Sequence, residues 1–189
     1  MVRLHQAVTQ MPELTQDSQN LQAFEQVFEK YWGAIHGMLR RMLGDPAEAE
    51  DLALEAFYRL HQRFPIADPD FNTGGWLYRV ATNLGLHAIR SRQRRQHYEA
   101  QAGKRMLQEA PDDQPAEMYA SQEDQQLARR ALADMNPRRS QLLVMRYSGM
   151  AYKEIAEAMD LSPTSLGPLL LRAEREFEKR YRELAQEEP

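Results

Sequence analysis

Apolar residues recur at three-four spacing along most of this chain, a period that predicts helices rather than strands. Leu21, Phe24, Val27, Phe28, Tyr31, Ile35, Met38, Leu39 and Met42 mark one face of a first helix, and Gly44 supplies its stop. Asp45, Pro46 and Glu48 then form a helix start: an acceptor at the cap, a proline at the first helical position and a glutamate three residues after the cap. Leu52, Ala53, Ala56, Phe57 and Leu60 make the buried stripe of this second helix. Pro65, Pro69 and residues Asn72 to Gly75 read as a loop and cap before a third helix that starts near Trp76. On that helix Trp76, Val80, Leu84 and Ala88 predict the buried side, while Arg79, Asn83, His87 (or Leu86), Arg90 and Arg94 share a neighbouring face.

The apolar period lapses over residues 97–123, where Gln, Glu, Asp and Ala mix with Pro111 and Pro115, as in a linker. It resumes with Leu127, Ala131, Leu132 and Met135; Asn136 and Pro137 cap the following helix, which ends around Gly149. Tyr152 to Ser162 reads as the first helix and turn of a helix-turn-helix. Ala156 is small where two helices must cross, and Asp160 occupies the left-handed position usually given to glycine. Ser162 and Pro163 cap a final helix that continues through Phe177, Tyr181 and Leu184. The expected fold is all-α: a loose tail over 1–20, one small helical domain over 21–96, a flexible linker over 97–123 and a second helical domain over 124–185.

Charge sharpens this picture. The net charge is −4, yet residues 90–95 hold four arginines and no acid, while residues 45–55 hold five acids and no base. A basic surface and an acidic one on the same chain suggest two kinds of partner. Arginines can hold phosphates bidentately, and an amide or aromatic can engage an exposed base. The bland alternative is a solvated helix whose arginines confer solubility, with Trp76 in the core.

Other chemistry finds little support. The chain has no cysteine, which excludes disulfides and thiolate metal sites and suits a reducing cytoplasm. No apolar run is long enough to span a bilayer, and Met1 to Asn20 lacks an export signal core. Five histidines show no ligand spacing, so neither metal nor cofactor is expected. The acids at 48, 50, 51 and 55 lie on a strongly capped, exposed helix where nothing would raise a carboxylate pKa. No phosphate loop or nucleophile motif is present, and an enzyme is not expected.

Glu50, Asp51, Leu52, Glu55 and Phe57, then Gly75 to Asn83, then Arg90 and its neighbours resemble domain 2 of the extracytoplasmic-function (ECF) group of bacterial RNA polymerase sigma factors. Asn136 to Arg139, Leu142 to Tyr147 and Tyr152 to Ala158 resemble their domain 4. The resemblance covers roughly residues 21–95 and 124–184, in the family's order. It implies a DNA-binding transcription initiation factor that binds core RNA polymerase and promoter DNA, duplex at −35 and single-stranded at −10. Core polymerase would dock on Glu50, Asp51, Glu55, Phe57 and Tyr58. The −10 strand would be opened and captured by Trp76, Arg79 and Asn83, with Thr82, His87, Arg90 and Arg94 beside them. His87 stands where the family usually has an acid or amide. Unstacking a base costs a few kcal/mol, so such a face must supply compensating stacking and hydrogen bonds.

The helix-turn-helix departs from the family. Where lysine or arginine is usual, the last helix carries Leu166, Gly167, Pro168, Leu169, Leu170 and Leu171, with Arg172 its first cation. The −35 set is therefore Lys153, Thr164, Ser165, Pro168 and Arg172, and readout there is expected to be weak, shape-based or assisted by another protein. Pro168 should disturb the helix unless it begins at Ser165. The consecutive leucines leave at least one to meet solvent or a partner such as an anti-sigma protein. Two rival readings stand beside this one: a helix-turn-helix regulator or adaptor without independent initiation activity, and a purely protein-binding scaffold.

Overall fold

A computed structural model describes residues 2–63, 70–101 and 116–187 of the chain. Every element among the described residues is an α-helix: α1 (Val2–Leu43), α2 (Pro46–His61), α3 (Thr73–Gln101), α4 (Ala116–Asp134), α5 (Pro137–Tyr147), α6 (Tyr152–Met159) and α7 (Pro163–Glu187).

The caps follow the short-range chemistry of the sequence. Asp45 accepts hydrogen bonds from the Ala47 and Glu48 amides at 2.9 and 3.3 Å, opening α2 behind Pro46. Gly44 ends α1 with a φ of +72°, a conformation that disfavours any side chain. Asn136 caps α5 by accepting from the Arg138 amide at 3.1 Å. Asn72 caps α3 by accepting from the Gly75 amide at 2.8 Å, so this helix begins at Thr73, three residues earlier than expected. Asp160 is left-handed at φ 53°, and the Leu161 amide reaches back to the Ala156 carbonyl at 2.8 Å, closing the turn of the helix-turn-helix.

Three differences from the sequence reading concern element limits. The segment up to residue 20 continues α1 rather than forming a separate tail, and residues 13–32 contain neither glycine nor proline to stop it. Both ends of the 97–123 segment are helical, as α3 runs to Gln101 and α4 starts at Ala116; residues 102–115 lie outside the described part. The last helix starts at Pro163, with Ser162 accepting from the Ser165 amide at 3.3 Å. Pro168 is therefore inside the helix and removes the amide that would bond the Thr164 carbonyl.

Helices α1, α2 and α3 share a core of Ile35, Leu39, Leu43, Ala53, Phe57, Leu60, Leu77 and Ala81. An aromatic ladder along α1 borders it: Phe28 stacks on Trp32 at 5.0 Å, Trp32 on His36 at 5.5 Å, and Phe28 meets Phe57 at 4.7 Å. Helices α5, α6 and α7 enclose Leu142, Met145, Ile155, Leu166, Leu170 and Ala173. Leu127 and Ala131 of α4 pack on Leu184 of α7.

Helix α3 lies between the two groups, touching α1 and α2 on one side and α4, α5 and α6 on the other. Its most buried line is consequently Leu77, Ala81, Gly85 and Ile89, with Thr82 and Leu86. The expected stripe of Trp76, Val80, Leu84 and Ala88 is only half-buried, one residue out of phase, because a helix covered from two sides buries the positions between its neighbours. A Cβ built on Gly85 would lie 2.8 Å from Met42 Cε, so this glycine sets how closely α3 approaches α1.

Candidate polymerase and nucleic-acid interfaces

The outer face of α2 presents Glu50 and Asp51, with Leu54 and Tyr58 exposed between and beyond them. Glu55 is partly exposed and pairs with Arg59 at 2.7 Å, one turn along the helix. Phe57 does not belong to this face. It is 2% exposed, wedged against Phe28 and Trp32, and holds α2 onto α1. The result is an acidic surface with two large apolar groups on a rigid helix, suited to a partner that is both basic and apolar.

Along α3 the predicted −10 residues divide. Arg79, Asn83, His87 and Arg94 are exposed on one side, spaced four, four and seven residues apart. Trp76 is half-buried beside Phe71, and the Arg63 guanidinium sits over its ring at 5.2 Å. Thr82 is fully buried; its hydroxyl faces Met38 Sδ at 3.6 Å, so it anchors α3 to α1 and offers nothing to a ligand.

The arginine cluster is likewise divided. Arg92 pairs with Glu48 and donates to the Leu43 carbonyl at 3.3 Å, tying α3 to the α1–α2 turn. The Glu48 carboxylate is thus engaged within the chain. Arg90 donates to the Ala133 and Met135 carbonyls at 3.0 and 3.5 Å, where α4 ends. Burial lowers the pKa of this guanidinium, although not enough to take its charge at any ordinary pH. Arg94 and Arg95 stay exposed.

Two residues to which the sequence reading gives no role here, Gln141 and Arg138, adjoin this face, and Arg129 ties α4 to the end of α1. Gln141 of α5 is 7% exposed and donates both to the Arg79 carbonyl and to Asn83 Oδ1, each at 3.1 Å. Arg138 lines a cavity of about 310 Å³ together with Arg79, Asn83 and Gln141. Arg129 of α4 donates to the Met42 carbonyl at 3.1 Å and fills the space a side chain at Gly44 would need. The sequence carries one signal for Gln141: a lone amide directly before the apolar run 142–145. Its partner lies 58 residues away and is not legible there.

The helix-turn-helix brings its predicted residues to the surface. Thr164, Ser165, Pro168 and Arg172 are exposed on the first turns of α7, and Lys153 is exposed at the start of α6, 3.9 Å from Glu157. Leu166 and Leu170 are buried, whereas Leu171 is 48% exposed. Leu171 borders an apolar cavity of about 870 Å³ between α1, α4, α5 and α7, with Met38, Leu143, Tyr147 and Phe177 in its walls.

Helix α6 also touches α3. The Asn72 amide donates to Glu157 at 3.4 Å, and the Tyr78 phenol has a raised pKa, first through burial and then through the nearby Glu154 carboxylate. Within the C-terminal group, Glu176 pairs with Arg139 and accepts from the Asn136 amide at 2.9 Å. Burial alone would raise this carboxyl; the Arg139 and Asn136 hydrogen bonds outweigh it and hold the pKa below the usual value.

Among the described residues no helix is long and apolar enough to cross a membrane, and no group of three or more His, Asp or Glu is placed to hold a metal.

This arrangement matches known proteins in both halves. Residues 27–95 match the family Sigma-70 region 2, and residues 125–177 match Sigma-70, region 4. The chain is 40% identical over 70 residues to the ECF RNA polymerase sigma factor SigW of Bacillus subtilis, a match that spans 37% of each chain. It is 29% identical over 162 residues to the RNA polymerase sigma factor CarQ of Myxococcus xanthus, covering 83% of this chain and 86% of CarQ. Its fold resembles that of CnrH, solved in complex with the cytosolic domain of CnrY, with a TM-score of 0.54 at 17% identity over 88% of this chain and 92% of that one. With region 2 carried by α1–α3 and region 4 by α4–α7, the chain belongs to the sigma-70 family of transcription initiation factors, in its ECF group.

Proposed function

We propose that this protein is an alternative sigma factor that binds core RNA polymerase and directs promoter-specific initiation, with each of its surfaces given a separate task. The observation that carries the assignment is the exposed line Arg79, Asn83, His87 and Arg94 on α3, flanked by Trp76 and placed on a region 2 scaffold. Glu50, Asp51, Glu55 and Tyr58 on α2 dock on core polymerase. Their rigid, acidic presentation supports this role, and Leu54 adds apolar area to the interface.

At the −10 element, Trp76 stacks on an unpaired base, Asn83 hydrogen-bonds a base edge, and Arg79 and Arg94 hold the strand's phosphates. Capture of an already unstacked base is how a protein without an energy source biases a duplex toward opening. At −35, Lys153, Thr164, Ser165 and Arg172 bind phosphates through their charges and hydroxyls, and the exposed Pro168 adds shape. In this reading residues 21–96 serve core polymerase and the −10 strand and residues 124–185 serve the −35 element, although α3 and α4 extend past these limits, to Gln101 and from Ala116. The protein works in the cytoplasm, uses no cofactor and catalyses no reaction itself. The apolar cavity beside Leu171 and Tyr147 is the surface offered to a protein partner such as an anti-sigma factor.

Run-off transcription with purified core polymerase on fragmented genomic DNA of the source bacterium tests the assignment. Discrete start sites that depend on this protein are expected. No binding to core and no new start sites would favour the regulator, adaptor or scaffold readings instead.

A further inference from the structure

Residues 161–171, which run from the turn of the helix-turn-helix into α7, carry no charged and no amide side chain; they are leucines, serines, prolines, one threonine and one glycine. In this motif the N-terminal part of the second helix enters the major groove. Leu166 and Leu170 are buried and fix which side of α7 faces the core. Thr164 and Pro168, one turn apart, are exposed on the opposite side.

The hydroxyls around this face are drawn into the helix start. Ser162 Oγ lies 2.6 Å from Ser165 Oγ and 3.1 Å from Thr164 Oγ1, and it accepts from the Ser165 amide at 3.3 Å. The Thr164 methyl and the Pro168 ring are left as the groups free to meet a base edge. Both are apolar. Neither loses much freedom on contact, since the proline ring is rigid and threonine is stiff at χ1. The cations stand apart: Arg172 lies a turn beyond Pro168 and Lys153 lies on α6, positions suited to flanking phosphates.

In the major groove every base pair presents hydrogen-bonding groups, and of the four bases thymine alone presents an apolar one, its C5-methyl. For a groove-facing surface without bidentate donors or acceptors, that methyl is the means of telling base pairs apart by direct contact. We propose that α7 reads the −35 duplex through thymine methyls, with the Thr164 methyl and the Pro168 ring as the specificity-determining contacts. The proposal rests on the reading of α7 as the −35 helix and gives its sequence preference a chemical cause. Four residues of helix separate the two groups by about 6 Å. Base steps rise by about 3.4 Å, so the two thymines lie one or two steps apart. Removing one methyl should weaken binding about three- to fourfold, the factor that corresponds to one buried methylene.

A pool of short duplexes randomised at their centre is prepared in two forms, one with thymidine and one with deoxyuridine, which lacks only the C5-methyl. Both are selected on the full chain bound to core polymerase. The thymidine pool should enrich a motif with two thymines one or two steps apart, and the deoxyuridine pool should not. In the enriched duplex, uridine at either position should cost about three- to fourfold. T164S keeps the hydroxyl and loses the methyl; it should erase that loss at one position, and P168S should erase it at the other. A 5-methylcytosine·G pair at either position should be tolerated better than C·G, because it carries a methyl at the same atom.

Equal enrichment of one motif in both pools would overturn the proposal and leave duplex binding by shape and phosphate contact in place. T164S and P168S proteins that both still distinguish thymine from uridine would overturn it too, as would the absence of any motif from either pool. The pool comparison uses the unsubstituted chain, so a folding defect in either variant leaves it decisive. A chain that does not bind core polymerase sinks the sigma assignment instead; the selection is then run on the free chain, where the same outcomes decide the thymine readout.

Discussion

Helix α3 carries Arg79, Arg90, Arg92, Arg94 and Arg95, whereas the first turns of α7 offer Thr164, Ser165 and Pro168 and no cation before Arg172. The contrast between these two helices, both proposed to hold nucleic acid, is smaller in three dimensions than in sequence. Arg92 serves the α1–α2 turn and Arg90 serves the end of α4, which leaves Arg79, Arg94 and Arg95 as the exposed cations of α3. On α7 the opposite holds: nearly every polar group near its start faces solvent, while Leu166 and Leu170 fill the core. Cation count is therefore a poor guide to nucleic-acid affinity unless each guanidinium is first traced to its partner. What separates the helices is Trp76 and Asn83. They are the aromatic and amide that can hold a base, and α7 has no counterpart to them.

The largest expected effect breaks the comparison at that pair. W76A or N83A should reduce promoter opening by roughly ten- to a hundred-fold, since base stacking is worth about 1–3 kcal/mol. Permanganate reactivity of −10 thymines measures it, and a thermal melt separates the loss from the packing that Trp76 shares with Phe71 and Arg63. L77A, on the buried side of the same helix, should instead destabilise the protein by about 2–5 kcal/mol, and its melt should fall accordingly.

Removing the exposed cations sharpens the contrast. R94A/R95A should weaken single-strand capture across all sequences and flatten its salt dependence by about 0.7 for each phosphate no longer neutralised. A titration of binding against salt reads this directly. T164A/S165A should change duplex binding at −35 by less than about tenfold, as neither hydroxyl can pair bidentately with a base.

The α7 deficit can also be repaired. A Cβ at Gly167 meets no atom within 4 Å, so G167R is accommodated and gains helix propensity of about 0.5–1 kcal/mol. It should tighten −35 duplex binding several-fold at low salt, by gel shift; no gain would mean that missing charge is not what limits α7. A smaller effect concerns the support of α5. The folded pKa of Glu176 lies below its unfolded value, so its stabilisation is complete above about pH 4.3 and is lost as pH falls through the folded pKa. E176Q should cost about 1 kcal/mol at neutral pH and make the acid limb of the melting curve shallower.

Local chemistry makes much of the fold legible. Asp45 with Pro46, Asn136 with Pro137, and Ser162 with Pro163 each mark a helix start, because a capping acceptor and an N–H-free residue act within a single turn. Asp160 declares its left-handed turn for the same reason. What stays illegible depends on partners far along the chain. Phe57 and Thr82 sit in motifs that suggest binding surfaces, yet both point inward: the apolar period of α2 already places Phe57 in its buried stripe, whereas on α3, covered twice, periodicity locates the stripe only to within a residue and misses Thr82. The engagement of Arg90 and Arg92 cannot be read, because their acceptors include backbone carbonyls, which every residue possesses. Gln141 is silent for a related reason: its amide gains meaning only from Asn83 opposite.

The direct test of this division of labour is −10 opening by holoenzyme on a promoter mapped by run-off, comparing W76A/N83A with T164A/S165A at equal core occupancy. Loss of permanganate-reactive thymines in the first variant and their retention in the second is the predicted result. Intact opening by W76A/N83A, with opening lost in T164A/S165A, would contradict the account, placing promoter capture on α7 rather than on α3.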